Sequence, residues 1–151
     1  MMKACRLDVS ADILAVALLG AVLGAPALAD GIAPGLWQVT ETVTMNGNAT
    51  PTQVRTRCLS PEQAGDTATT FSPEYRTANS DCERAEFEST SSKLRWRMLC
   101  KGQMEMDVSG DFIFDTPKHY SATIRSKGSM AGRTVVNTSV TIEGEHQGEC
   151  Q

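Results

Sequence analysis

Between Cys82 and Phe114 the chain reads CERAEFESTSSKLRWRMLCKGQMEMDVSGDFIF. Met98, Met104 and Met106 fall in this stretch together with Cys82 and Cys100, and His119 follows shortly after. Thioether and thiolate sulfurs are soft donors suited to Cu(I). A patch of Met98, Met104 and Met106 beside Cys100 is therefore the sharpest metal-binding arrangement the sequence offers, with His119 able to join it only if its side chain crosses to the same face. The same residues have a plainer use. Methionine on the apolar face of a strand fills irregular core space and packs against aromatic rings such as Trp96. A disulfide-bonded Cys100 ceases to be a ligand. The expectation is core packing and no resident metal or other cofactor.

Acid–base and nucleophilic chemistry find less support. The two histidines are His119 and His146. Ser129 sits in GSMAG, where the glycines have the wrong offsets for a nucleophile elbow. Glu105 and Asp107 have basic neighbours, which favour the ionised carboxylate over a raised general-acid pKa. The chain is expected to be non-enzymatic.

The elements that must position these residues start after a leader. ILAVALLGAVLGA, residues 13–25, is too short to span a bilayer as a helix, which needs about 20 residues, and Ala27-Leu28-Ala29 is a small-x-small cleavage site. Residues 1–29 read as a secretory signal peptide. The expected mature chain, 30–151, is one exported domain in the periplasm or secreted, with no further membrane span. Lys3 and Arg6 leave with Asp8 and Asp12, so the net charge stays at −4. A mildly acidic domain without a basic run is a poor nucleic-acid binder, and no basic amphipathic helix is present for membrane docking. Cys5 also leaves, and Cys58, Cys82, Cys100 and Cys150 remain. An even count in an exported chain points to disulfides. The absence of C-x-x-C argues against a thioredoxin-like pair or a zinc ribbon.

Helix signals are thin. Ser60-Pro61-Glu62-Gln63 fits a capping box with proline at the first helical position, and Gly65 ends that helix early. From Ala64 to Ser80 the sequence suggests a long connection pinned by Phe71 and Tyr75. Elsewhere the apolar pattern has period two, the signature of half-buried strands. Trp37, Val39, Val43 and Met45 share one face, broken by Glu41, before an Asn46-Gly47 turn and a returning TQVRTRC strand. Leu94, Trp96, Met98 and Cys100 form one face of the next clear strand. Met104, Met106, Val108, Gly110, Phe112 and Phe114 form that of its partner. A three-residue loop Lys101-Gly102-Gln103 would set Cys100 opposite Met104, Met98 opposite Met106 and Trp96 opposite Val108. On the other face Arg97 meets Asp107 and Lys93 meets Asp111. Upstream, Ala85 and Phe87 should meet Met98 and Trp96. Downstream, Tyr120, Ala122 and Ile124 share a face, SKGSMAGR looks like a loop, and Val136, Thr138, Val140 and Ile142 share a face. About seven strands result, in an all-β antiparallel meander with one short helix, curved or closed into an incomplete barrel. Four cysteines allow three pairings. The hairpin brings Cys82 beside Cys100, which leaves Cys58 with Cys150.

Gly35-x-Trp37 entering a strand, CLSPEQ at 58–63, then Cys82, Cys100 and a cysteine near the C-terminus resemble the exported bacterial family "domain of unknown function 3617". The likeness spans essentially the whole mature chain. It implies a Gram-negative envelope protein and carries over no activity. A sheet with one apolar face must cover it with a helix, a loop, a partner or a ligand. Trp37, Phe87, Trp96, Val108, Phe112 and Tyr120 are the residues expected to form that face. They either make a closed core or line a groove for a small apolar ligand. The expected role is structural or binding work in the envelope, with another envelope protein or an apolar molecule as partner.

Overall fold

The computed structural model describes residues 31–73 and 81–151. The expected signal peptide and Tyr75 lie outside these. The described residues form an all-β antiparallel sheet of eight strands with two short helices. The strands are β1 (Gly35–Met45), β2 (Asn48–Ala49), β3 (Gln53–Leu59), β4 (Asp81–Ser89), β5 (Lys93–Lys101), β6 (Glu105–Thr116), β7 (His119–Met130) and β8 (Arg133–Gly148). The order across the sheet is β2-β1-β8-β7-β6-β5-β4, and β3 continues beside β1 on the β2 side. The meander β4 to β8 is thus completed by β1, which pairs with β8 along most of its length. The sheet does not close: β3 and β4 are its two edges.

Phe71 shows how far the sheet curls. It ends helix α2 (Thr67–Phe71), which follows α1 (Pro61–Gly65). Its ring lies 5.1–5.7 Å from the rings of Phe112, Phe114 and Tyr120. Its carbonyl accepts from Trp96 Nε1 on β5 at 3.1 Å, and Arg57 on β3 lies over its ring. In a flat sheet β3 and β5 would stand about 24 Å apart. One residue touches both, so the strands wrap around it as a half-barrel.

The capping box forms as its sequence predicts. Ser60 Oγ accepts from the Gln63 amide and Gln63 Oε1 accepts from the Ser60 amide, and Ala64 is buried. The second helix lies inside the stretch expected to be a connection. Asp66 caps it by accepting from the Thr69 amide at 3.0 Å, and the packing of Phe71 holds a threonine-rich turn of low intrinsic helicity in place.

Alternation along the strands places Trp37, Val39, Leu94, Trp96, Met98, Val108, Phe112, Phe114, Tyr120, Ala122 and Ile142 in one core on the concave face. The convex face carries ion pairs. Arg97 donates to both Asp107 oxygens at 2.9 and 2.7 Å and to Glu86 at 3.2 Å. This holds the Asp107 carboxyl below its usual range. Arg95 and Arg125 share Asp111.

The β5–β6 loop has three residues, as expected, but they are Gly102–Met104. The register therefore slides by two: Cys100 faces Met106, Met98 faces Val108, Trp96 faces Gly110, and Arg95 rather than Lys93 faces Asp111. The slide keeps every side chain on its expected face, since the side-chain period is two. Its cause is Trp96. The indole lies over Gly110, where a Cβ would overlap it. On β4, an irregularity between Arg84 and Glu86 removes Ala85 from the pairing. Arg84 therefore faces Met98, while Phe87 faces Trp96 as expected. The SKGSMAGR segment is strand, not loop. Only Ala131 and Gly132 turn, at φ 49° and 74°, and Gly128 lies beneath Val136, Met104 and Met106, which occupy the space of its missing side chain.

Gly144 repeats the device, because a Cβ there would overlap the Tyr120 ring. Gly144→Ala is expected to lose about 1–3 kcal/mol through overpacking. Gly65→Ala, with open space around its Cβ position, should change stability by no more than about 0.5 kcal/mol. Urea unfolding of the two variants checks this. Equal effects would show that the ring moves aside freely.

Both expected disulfides are present. Cys82–Cys100 closes the β4–β5 hairpin with Cα atoms 4.0 Å apart. Cys58–Cys150 joins the end of β3 to the residue run after β8, with Cα atoms 5.8 Å apart.

Candidate functional site

Helices α1 and α2 cover only part of the concave face. Beyond Phe71 the described residues leave the half-barrel open as a cleft of about 460 Å³. Its wall is apolar: Val39 and Val43 from β1, Ile124 from β7, and Val140 and Ile142 from β8. Trp96, Phe112 and Tyr120 meet Phe71 at the covered end. Val43, Ile124 and Val140 are only partly buried, so apolar surface is left facing the opening. Clefts of roughly 300–1,000 Å³ with apolar walls and a few polar groups are the usual form of small-molecule sites.

The polar groups are few and lie on one side. On β3, pairing with β1 sets Arg57 opposite Trp37, Arg55 opposite Val39 and Gln53 opposite Glu41. Both arginines therefore share the concave side, while Val54 faces outward and is 61% exposed. Arg55 is ion-paired with Glu41. Arg57 has no carboxylate partner among the described residues, and its guanidinium carbon lies 5.5 Å from the centroid of the Phe71 ring. Ser72 also lines the cleft, and its hydroxyl is buried without a hydrogen-bond partner among the described residues. Burial pushes the Tyr120 phenol above its ordinary pKa, with Arg57 opposing that shift.

Of the six residues expected on the apolar face, Trp96, Phe112 and Tyr120 line this cleft. Trp37 and Val108 are buried in the core beside it, and Phe87 is 45% exposed on the edge strand β4, beneath the Arg84 guanidinium. The sulfur patch is partly assembled. Met104 and Met106 Sδ lie 2.9 and 3.0 Å from where a Cβ on Gly128 would stand, and Met98 faces Val108. Cys100 is bonded to Cys82, so no thiolate accompanies them. His119 does not cross over. Its Nδ1 lies 2.7 Å from Asp115 and its Nε2 3.2 Å from Glu143, and its pKa is raised chiefly by the Asp115 hydrogen bond. His146 Nε2 lies 3.0 Å from the Pro34 carbonyl.

Arg55, Arg57, Ile124, Val140 and Ile142 were absent from the expected groove. The alternation of TQVRTRC places the two arginines on one face of their strand, but only pairing with Trp37 and Val39 turns that face inward.

A family model described as "Protein of unknown function (DUF3617)" matches residues 32–150. No curated protein and no solved structure matches the chain.

Proposed function

Starting from the fact that this chain belongs to the DUF3617 family, we propose that it is a non-enzymatic binding module of the bacterial envelope that holds a small apolar ligand in its open half-barrel. The observation that carries this reading is the cleft of about 460 Å³ whose partly buried aliphatic wall is left uncovered by α1 and α2. Apolar surface exposed in a concavity gains about 25 cal/mol per Å² when a ligand removes it from water. Export is supported by the leader-like residues 1–29 and by two disulfides that persist only in an oxidising compartment. The non-enzymatic part is supported by the engagement of both histidines outside the cleft wall. Among the described residues no helix is long and apolar enough to cross a membrane.

The test is titration of the disulfide-intact protein with N-phenylnaphthylamine, a neutral dye that fluoresces in apolar surroundings. Saturable binding of one dye per chain is expected. Ile124→Glu, which puts a charge on the wall at a partly buried position, should weaken it at least tenfold while the far-ultraviolet circular dichroism stays that of the wild type. A wild-type protein that shows no saturable signal would sink the proposal, as would a folded Ile124→Glu variant that binds equally well.

A further inference from the structure

The cleft wall is apolar, but its rim is not neutral. Among the described residues, Glu41, Arg55 and Arg57 are the charged ones that line it. Glu41 and Arg55 neutralise one another, which leaves the Arg57 guanidinium, over Phe71 at the covered end, as a surplus cation among the described residues. Arg84 and Arg133, like Arg57, have no carboxylate partner among the described residues, but neither lines the cleft. The whole chain carries a net charge of −4, and arginines on the convex face are matched to carboxylates: Arg97 to Asp107 and Glu86, Arg95 and Arg125 to Asp111. On β3 the arginines face the concave side and Val54 faces away from it.

Resting on the cleft reading above, we infer that the ligand is a single-chain amphiphile with an anionic head, a fatty-acid carboxylate. Its chain lies along Val43, Ile124 and Val140, and its head is held by Arg57. Three features converge on this. The guanidinium presents planar donors that match a carboxylate in a two-point geometry. The Phe71 ring lies 5.5 Å from it, within cation–π range. Ser72, next along the chain from Phe71, lines the same cleft, and its buried hydroxyl is unpartnered among the described residues. A cation at one end of an apolar trough selects an amphiphile by charge complementarity and rejects a cationic one of the same chain length.

The experiment displaces N-phenylnaphthylamine with dodecanoate, dodecanol, dodecyl phosphate and dodecyltrimethylammonium, each below its critical micelle concentration. Wild-type protein and Arg57→Gln are compared, with thermal unfolding confirming that both are folded. Dodecanoate is expected to compete most strongly, and dodecyltrimethylammonium least. Arg57→Gln should weaken dodecanoate about fivefold, the size of a solvent-accessible ion pair, and leave dodecanol unchanged. Equal loss for dodecanoate and dodecanol would overturn the head-group assignment while the cleft reading stands, as would a cationic competitor as good as dodecanoate. Dodecyl phosphate binding more tightly than dodecanoate, with the larger loss in Arg57→Gln, would overturn the carboxylate in favour of a phosphate head. Failure of every compound to displace bound dye would overturn the ligand class, and absence of dye binding in the first place would remove the cleft reading with it.

Discussion

Replacing Cys58 and Cys150 together by serine is expected to lower stability by about 4–5 kcal/mol, against about 3 kcal/mol for the Cys82/Cys100 pair. The difference follows from loop length: the first bond joins residues 92 apart in sequence and the second residues 18 apart. Loop-closure entropy in the unfolded chain grows with that separation. The folded state points the same way. Cys82–Cys100 reinforces a hairpin whose strands are already neighbours in sequence. Cys58–Cys150 spans β1, tying the edge strand β3 to the end of β8. Without it, β1 is the one strand that still holds β3, and β3 carries both cleft arginines. Urea unfolding of the two double-serine variants is the direct measurement. The Cys58/Cys150 variant should also melt lower, by on the order of 15 °C, and lose dye binding before it unfolds globally. A Cys58/Cys150 variant no less stable than the Cys82/Cys100 variant would refute the loop-length account.

Trp96→Ala should cost about 3–5 kcal/mol, the usual range for truncating a buried tryptophan. Trp96 is 2% exposed, covers Gly110 and donates to the Phe71 carbonyl at 3.1 Å. Trp96→Phe separates these roles. Phenylalanine restores most of the volume over Gly110 but has no N–H, so the Phe71 carbonyl loses its donor. That change should cost about 1–3 kcal/mol and loosen α2 at its C-terminal residue. Because Phe71 closes the covered end of the cleft, the phenylalanine variant should bind N-phenylnaphthylamine more weakly despite a largely intact core. Amide hydrogen exchange across residues 67–71 provides the structural readout, with faster exchange expected in Trp96→Phe than in wild type. Unchanged exchange there, together with unchanged dye affinity, would mean that the indole only fills space and does not anchor the helix.

The two sets of variants also divide the molecule. The Cys58–Cys150 disulfide holds the wall that carries Arg57, and Trp96 holds the cap that carries Phe71. If the cleft is the functional site, both lesions reach it, from opposite sides of the half-barrel.

Period-two alternation was enough to assign the faces of β1, β5 and β6, the first half of β7 and most of β8. A strand has only two faces, and burial of one is decided locally by which side chains can leave water. The same locality made the disulfides legible: once Cys82 and Cys100 stand at one end of a short hairpin, the remaining two cysteines have only each other. The capping box at Ser60 was likewise readable, because its bonds close within three residues. What the sequence could not determine depended on contacts between residues far apart. The β5–β6 register turned on Trp96 needing the space over Gly110. The Ser126–Arg133 stretch looked like a loop because Gly128 has no side chain, and it is strand because Met104, Met106 and Val136 supply the missing atoms. Helix α2 exists because Phe71 finds Phe112, Phe114 and Tyr120. The cleft itself arises only when β1 closes against β8 and turns Arg55 and Arg57 inward. Local sterics set which face each residue occupies. Long-range packing decided which faces meet, and that is where the candidate site resides.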